Sequence, residues 1–191
     1  MKNNTGENMK EKKIFVGTTK EDQEAIKKYC RGKAVELGTL EGGTTRVMSK
    51  YADEVTTIDV FEDINLMTDE ASKDFVQGHH KILKDLYFRV CENLSDIDNI
   101  LVVQGDVLKV AKEWKEKIDC IFMDAGHEYN SIKSYVDSWG KHLEKNGYLL
   151  IHDTKEISPH IGSVKFSNEL KEDKQWEFIE QCDNIAVFKK L

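Results

Sequence analysis

Residues 34–59 read AVELGTLEGGTTRVMSKYADEVTTID, and this order of residue types predicts the central unit of the fold. An apolar run, 34–37, precedes a glycine-rich turn, and a helical stretch and a second apolar run follow it, ending at Asp59. Strand, glycine-rich turn, helix and acid-ended strand is typical of nucleoside-cofactor sites, because glycines let the backbone approach the ligand and the carboxylate accepts hydrogen bonds from ribose. Gly38 and Asp59 are 21 positions apart, close to the roughly 20 expected.

The glycine spacing indicates which kind of cofactor the unit binds. A dinucleotide site has the pattern G-x-G-x-x-G, in which a helix N-terminus meets a pyrophosphate. Here Leu40 stands at the second glycine position, and the next glycines are Gly42 and Gly43. Glu36 would also place a negative charge beside a pyrophosphate. A cationic ligand suits this turn better, although the same pattern also fits a plain turn-and-helix joint of another α/β protein.

The run from Glu36 to Gly42 resembles the first motif, E/D-x-G-x-x-x-G, of the class I S-adenosylmethionine-dependent methyltransferases. The resemblance implies S-adenosylmethionine as cofactor, with Asp59 holding the ribose. It also implies further binding residues around the methionine, sulfur and adenine parts of the cofactor: Glu36, Gly38, Gly42, Gly43, Thr44, Asp106, Val107 and Asp124. For Asp106, a helix N-cap is an alternative role, because Asp is common at that position.

Composition limits the other classes of function. The 191 residues carry a formal charge of −7, which argues against general nucleic-acid binding or an anionic membrane surface. The four cysteines lie far apart without a C-x-x-C pair, so they indicate neither a zinc site nor a disulfide framework. We expect a polar, disordered tail at residues 1–12 and a single domain at 13–191. The tail has no signal-peptide core, which favours the cytoplasm.

The remaining apolar runs predict five more strands. These lie at 100–104, 118–123, 148–151, 176–180 and 185–189, and the short gap between the last two is typical of a hairpin. Together with the first two strands they predict an α/β fold with a seven-stranded, mostly parallel sheet and a C-terminal antiparallel hairpin. This order resembles the Rossmann-like class I methyltransferase fold, since a dinucleotide-binding domain normally continues with parallel strands.

Helical patterns separate the predicted strands. Thr19 with Asp22 predicts a capped helix start, and another helix is expected near 164–170. In the long connection 61–99, helical spacing joins Phe75, Ile82, Leu86, Val90 and Leu94. A further amphipathic helix is predicted to carry Ile132, Tyr135, Val136, Trp139 and Leu143 on one face and to end at Asn146-Gly147.

Polar residues follow the predicted strands, and the carboxyl ends of parallel strands lie at one edge of a sheet. The segments Asp124-Ala125-Gly126-His127-Glu128-Tyr129 and His152-Asp153 form the pattern D-x-x-H-x-Y followed by H-D. This pattern resembles a small bacterial subset related to the macrocin and rhamnosyl O-methyltransferases and the cephalosporin-hydroxylase-like proteins. The resemblance implies a divalent metal, magnesium or manganese, on Asp124 and Asp153 with His152 as a third ligand.

We expect His127 to act as general base, with Asp124 as its catalytic partner, because an imidazole titrates near neutral pH. The alternative is that His127 and His152 only join neighbouring loops through hydrogen bonds. His142 and His160 show no pattern beyond a polar surface.

The sequence thus predicts a cytoplasmic methyltransferase that acts on a hydroxyl of a small or sugar-like molecule and has room for a homo-oligomer to complete its pocket. The alternatives are a non-catalytic S-adenosylmethionine-binding module and an NAD-dependent oxidoreductase.

Overall fold

The computed structural model describes residues 14–67, 73–74 and 77–191; the predicted tail and Phe75 lie outside this part of the chain. The described strands are β1 Lys33–Leu37, β2 Glu54–Asp59, β3 Ile100–Gln104, β4 Ile118–Met123, β5 Leu143–Ile151, β6 Trp176–Cys182 and β7 Ile185–Lys190. The described helices are α1 Lys20–Tyr29, α2 Gly43–Met48, α3 His80–Leu83, α4 Leu86–Leu94, α5 Val107–Glu113, α6 Tyr129–Trp139 and α7 Ile161–Leu170.

The seven strands form one sheet in the order β3-β2-β1-β4-β5-β7-β6. All neighbours pair in parallel except β7, which runs antiparallel to both β5 and β6. The predicted α/β methyltransferase fold and its terminal hairpin are therefore confirmed. The strand order reverses between β1 and β4, where Leu37 pairs with Met123, and this reversal positions the site described below.

Helices cover both faces of the sheet, which leaves the central strands buried on two sides. On one face α6 and α7 contribute Ile132, Trp139 and Phe166 to the larger core. On the other face α1 and α2 contribute Ile26 and Met48. None of the described helices is long and apolar enough to cross a membrane.

The start of α1 confirms the predicted capping box. The Thr19 hydroxyl accepts a hydrogen bond from the backbone N–H of Asp22, and the Asp22 carboxylate accepts one from the N–H of Thr19. Asp22 is fully buried, although most carboxylates at a helix start are exposed to water. Its second oxygen accepts the N–H of Asn184 in the β6–β7 turn, so this one side chain joins α1 to the terminal hairpin.

The prediction for the end of α6 is wrong. The helix ends at Trp139, and Leu143 begins β5 by pairing with Ile118 rather than extending the helix face. The physical reason is the Lys190 side chain of β7, whose ammonium donates 2.7 Å hydrogen bonds to the carbonyl oxygens of Gly140 and Leu143. Carbonyl groups left unpaired at a helix end need such donors, and this one comes from the distant C-terminus. Gly147 lies within β5 and does not cap the helix.

The described part of the long connection between β2 and β3 contains the predicted helical structure, in α3 and α4, but its apolar stripe is shorter. Leu86, Val90 and Leu94 of α4 are buried, whereas Ile82 is 65% exposed. Asp85 has a left-handed backbone (φ +55°) that separates α3 from α4, so Ile82 does not continue the stripe of the following helix.

Candidate active site

A pocket of about 640 Å³ lies at the carboxyl ends of β1, β2 and β4, next to the reversal of strand order. Ligands bind at such a point because the loops from neighbouring strands diverge there and leave a crevice. Nine predicted site residues line the pocket: Glu36, Gly38, Gly43, Thr44, Asp59, Asp106, Val107, Asp124 and His127. The other three, Gly42, His152 and Asp153, are not among the lining residues.

The glycines of the turn permit close contacts around the pocket. Gly38 has φ +92°, and a Cβ atom on it would lie 2.5 Å from the carbonyl oxygen of Asp124, so only glycine lets the ends of β1 and β4 approach. A Cβ on Gly43 would lie 2.0 Å from the carbonyl oxygen of Phe15, which also lines the pocket. Gly42, with φ +83°, instead faces the Leu94 side chain.

Glu36 places a partly unpaired carboxylate at the base of the pocket. Its Oε2 atom accepts hydrogen bonds from the hydroxyls of Thr45 and Thr57, while Oε1 is buried without a hydrogen-bond partner. Burial raises the pKa of Glu36 to about 8, although the two hydroxyls oppose this. A buried acceptor of this kind favours a ligand with a cationic donor, because such a donor supplies the missing hydrogen bond and the compensating charge.

Asp59, at the end of β2, shapes the turn as well as facing the pocket. Its Oδ2 atom accepts the backbone N–H of Thr39 at 2.7 Å and that of Leu40 at 3.3 Å, and Oδ1 accepts the N–H of Phe61 at 2.7 Å. Burial raises the pKa of Asp59, and these backbone hydrogen bonds partly offset that effect. Oδ1 accepts one of these hydrogen bonds and has a second lone pair, so the group can still accept a hydrogen bond from a ribose hydroxyl.

Asp106 is the N-cap of α5. Its Oδ1 atom accepts the backbone N–H groups of Leu108 at 3.0 Å and Lys109 at 2.9 Å, which confirms the helix-cap role expected for this residue type. Asp106 and Val107 also line the pocket, so the start of α5 forms the part of the pocket wall that follows β3. Contact with an adenine ring stays a prediction.

The polar residues at the ends of β4 and β5 converge as predicted. The His152 Nδ1 atom lies 3.1 Å from Asp124 Oδ1 and 3.6 Å from Asp153 Oδ2. On the opposite side of the ring, Nε2 lies 3.5 Å from Oδ2 of the buried Asp22. His152 is itself 8% exposed, so the ring is enclosed by three carboxylates rather than by water.

These carboxylates determine the charge of His152. Burial alone lowers the pKa of an imidazole, but the nearby carboxylates of Asp124, Asp153 and Asp22 outweigh burial and raise the pKa of His152 to about 12. The same contacts keep the pKa of Asp153 below its usual value despite burial.

The predicted metal ligands Asp124, His152 and Asp153 lie together, with one donor atom of each within 4.8 Å of the others. A ligating imidazole offers the lone pair of one ring nitrogen, and in His152 Nδ1 faces Asp124 while Nε2 faces Asp22. Binding of a divalent metal by these residues stays a prediction.

His127 lies in the pocket beside a residue that the sequence pattern did not single out. Its ring centroid is 3.9 Å from that of His160, and His127 Nδ1 and His160 Nε2 lie 3.7 and 3.6 Å from the same Asp153 oxygen. Burial and the neighbouring His160 lower the pKa of His127, so the imidazole is neutral at pH 7 and can accept a proton.

The position of His160 depends on a glycine two residues later. A Cβ on Gly162 would lie 2.2 Å from the carbonyl oxygen of His127, so only glycine lets the start of α7 approach the loop after β4. Gly162 was the one local signal for this contact, but the sequence does not show which loop it meets.

Comparisons with known proteins agree with this architecture. The O-methyltransferase NovP superimposes with a TM-score of 0.65 at 18% identity, covering 89% of this chain and 79% of NovP. The N-methyltransferase NodS from Bradyrhizobium japonicum WM9, in complex with S-adenosyl-L-homocysteine, gives 0.55 at 15% identity, covering 83% and 78%. An rRNA methylase from Streptococcus thermophilus gives 0.58 at 14% identity, covering 89% and 94%. At these identities the likeness shows the fold and leaves the acceptor open.

A family profile described as a methyltransferase domain matches residues 35–154, which include the glycine turn, Asp59, Asp106 and the polar ends of β4 and β5. Because this match spans more than half of the 191 residues, the chain belongs to that methyltransferase domain family.

Proposed function

We propose that this protein transfers a methyl group from S-adenosylmethionine to a hydroxyl group of a small or sugar-like molecule. One observation carries the proposal: a single pocket has the glycine turn, Glu36 and Asp59 on one side and Asp124 and His127 on the other. A methyl donor and its acceptor can therefore meet in one cavity. The D-x-x-H-x-Y and H-D patterns, which resemble those of the macrocin and rhamnosyl O-methyltransferases, support oxygen as the methylated atom.

The described residues fit S-adenosylmethionine. Glu36 Oε1 is a buried acceptor without a partner, and the ammonium group of a methionine moiety would supply its missing donor. Asp59 would accept hydrogen bonds from the ribose, and Gly38 lets the ligand lie against the backbone. When bound, the cofactor supplies an electrophilic methyl group on a sulfonium. An acidic pocket suits this positive charge.

The charges of the pocket also limit the acceptor. Six carboxylate residues line it: Glu36, Glu41, Asp59, Asp106, Asp124 and Glu128. No lysine or arginine is among the described lining residues. Phosphate groups need cationic partners, so this lining disfavours RNA and phosphorylated acceptors and favours a neutral molecule. The formal charge of −7 for the whole chain also disfavours anionic acceptors.

His127 is the residue we assign to proton removal from the acceptor. The neutral ring lines the pocket, and the Asp153 carboxylate 3.7 Å from Nδ1 is near enough to stabilise the imidazolium formed after proton transfer. Asp124 also lines the pocket and is held by His152, so it can orient the acceptor hydroxyl through a hydrogen bond.

Calorimetry with S-adenosylhomocysteine and, separately, with NAD tests the cofactor. We expect binding of the first and none of the second at equal concentration; the reverse result would overturn the proposal. A panel of neutral polyols, glycosides and phenols, each paired with its phosphate ester, then tests the acceptor by following formation of S-adenosylhomocysteine. Binding without turnover on any acceptor would favour the non-catalytic binding module.

A further inference from the structure

A short apolar run, Ile14-Phe15-Val16, comes before α1 and lies outside residues 35–154, which match the methyltransferase profile. Phe15 and Gly17 nevertheless line the pocket, although both precede β1 in the chain. Val16 is not among the described lining residues. Residues 15–18, which we call the entry segment, therefore form a part of the pocket wall that the family match does not include.

The entry segment is held against the glycine turn and the first turn of α2. The backbone N–H of Phe15 donates a 3.2 Å hydrogen bond to Oε2 of Glu41. A Cβ on Gly43 would lie 2.0 Å from the carbonyl oxygen of Phe15, so the two backbones are in direct contact. The hydroxyl oxygens of Thr18 and Thr44 lie 3.5 Å apart. These contacts fix the segment on the cofactor side of the pocket.

Helix α1 fixes the other end of the entry segment. The carbonyl oxygen of Thr18 accepts a 3.2 Å hydrogen bond from the side-chain amide of Gln23, and Thr19 is the N-cap of α1. The helix is anchored in turn by Ala25 and Ile26, which are buried in the core. The fold itself therefore sets the position of Phe15, and a preorganised side chain lowers the entropic cost of binding a ligand.

The Phe15 side chain offers an aromatic surface at this wall. It is 57% exposed, and its Cε1 atom would lie 3.8 Å from a Cβ on Gly17, so the ring lies beside another lining residue. A ligand that covers the ring removes apolar area from water, which favours binding. The face of an aromatic ring also attracts a cation, and the ammonium group of a methionine moiety is one.

The contacts of the entry segment indicate which end of the cofactor it meets. Glu36 accepts the hydroxyl of Thr45, and the carbonyl oxygen of Phe15 lies against Gly43, so both residues contact the first turn of α2. Glu36 is the carboxylate whose unpaired oxygen fits the ammonium group. The residues expected at the ribose and the adenine follow β2 and β3 instead.

We propose that the entry segment is part of the cofactor site and that the Phe15 ring covers the amino-acid end of S-adenosylmethionine, whose ammonium group is bound by Glu36. This inference rests on the proposed function, which names the cofactor. Phe15 is a binding residue and takes no part in proton transfer. Glu41 is a positioning residue, because it holds the backbone of Phe15.

The first test compares two ligands of the full-length protein by calorimetry. S-adenosylhomocysteine and 5′-methylthioadenosine share the adenosine and the thioether sulfur, but only the first has the amino-acid group. Phe15→Ala should weaken binding of S-adenosylhomocysteine about 3–30-fold and change that of methylthioadenosine less than about twofold. Phe15→Leu keeps apolar area without the aromatic face, so its affinity should fall between those of the wild type and F15A. Equal weakening for both ligands, or none for S-adenosylhomocysteine, would overturn the proposal.

Val16→Ala is the matched control, because Val16 is also partly exposed and its Cα also lies against Gly43, but it does not line the described pocket. It should leave both affinities within about twofold of the wild type. Melting temperatures of F15A and V16A should stay close to that of the wild type, since neither side chain is buried. A V16A variant that loses as much affinity as F15A would assign the effect to packing of the segment and overturn the role of the ring.

The second test uses amide hydrogen exchange, measured by NMR. In the wild type, saturating S-adenosylhomocysteine should slow exchange in the entry segment more than saturating methylthioadenosine does, because only the first ligand covers Phe15. Glu41→Ala removes the acceptor for the Phe15 N–H and should reduce this difference at least about twofold. Equal slowing by both ligands would overturn the proposal. Absence of S-adenosylhomocysteine binding by the wild type would instead contradict the proposed function.

Discussion

The Nδ1 atom of His152 lies 3.1 Å from Oδ1 of Asp124, across the carboxyl ends of the neighbouring strands β5 and β4. This contact links the wall of the pocket to the interior, because Asp124 lines the cavity while His152 is buried against Asp22 of α1. Helix α1 is thereby connected to the proposed reaction centre through the side chains of Asp22 and His152.

Asp59→Ala should weaken binding of S-adenosylhomocysteine by about 1.5–3 kcal/mol, because the variant loses charged hydrogen bonds to the ribose. Asp59→Asn should weaken it less, since the amide oxygen can still accept the N–H of Thr39. Asp53→Ala, at an exposed carboxylate just before β2, is the matched control and should leave affinity unchanged. Calorimetry measures all three. Equal affinities for D59A and D53A would show that Asp59 only shapes the turn.

Cofactor binding should release protons from Glu36. The pKa of the buried carboxyl is raised to about 8, so the group is largely protonated at pH 7 in the free protein. A bound ammonium group would favour the ionised form, and up to about one proton should leave. Calorimetry in buffers of different ionisation enthalpy measures this number, and Glu36→Gln should reduce it to near zero. An unchanged proton count in E36Q would assign the released proton to another group.

The raised pKa of Glu36 also predicts how the free energy of unfolding depends on pH. Above its ordinary pKa of 4.5, Glu36 is deprotonated in the unfolded chain but stays protonated in the folded protein up to about pH 8. The unfolded state thus binds fewer protons in this window, so Glu36 lowers the free energy of unfolding as pH rises from about 4.5 to 8. Glu36→Gln should therefore be more stabilising at pH 8 than at pH 5. Urea unfolding of both proteins at the two pH values measures this, and a constant difference would contradict it.

His127→Ala should slow methyl transfer by about 10²–10⁴-fold, the usual contribution of a general base, and leave affinity for S-adenosylhomocysteine nearly intact. Because burial and His160 lower the pKa of His127, wild-type turnover should persist at pH 6.5 and fall only on further acidification. His142→Ala is the control. That ring lies beside Trp139 at the opposite end of β5, and its loss should not change the pH profile. A normal rate of methyl transfer in H127A would show that His127 only joins neighbouring loops.

Gly38→Ala should destabilise the protein by about 1–3 kcal/mol or more, because alanine at φ +92° is strained and its Cβ would overlap the carbonyl oxygen of Asp124. Gly78→Ala is the matched control, since a Cβ there meets no atom within 4 Å. Chemical denaturation of both variants measures the difference. Equal stabilities would show that β1 and β4 can separate at little cost.

The sequence by itself determined the order of the strands along the chain and the identity of the central unit. The glycines after β1, the acid at the end of β2 and the polar ends of β4 and β5 are local patterns, because each depends on a few neighbouring residues. The sequence also predicted the terminal hairpin, since its two apolar runs are too close together for a helical crossover. These features are sufficient for the fold, and nine of the twelve predicted site residues line the pocket.

Only the tertiary structure decided the end of α6, the entry of His160 into the pocket and the carboxylates that surround His152. Each depends on a partner far away in sequence: Lys190 for the helix end, Gly162 against the loop after β4 for His160, and Asp22 for His152. The protonation of an imidazole is set by the charges around it, and no local pattern records which carboxylates the fold will bring within 4 Å. The sequence therefore predicted His152 beside Asp124 and Asp153, but it did not predict the third carboxylate, Asp22, on the other side of the ring.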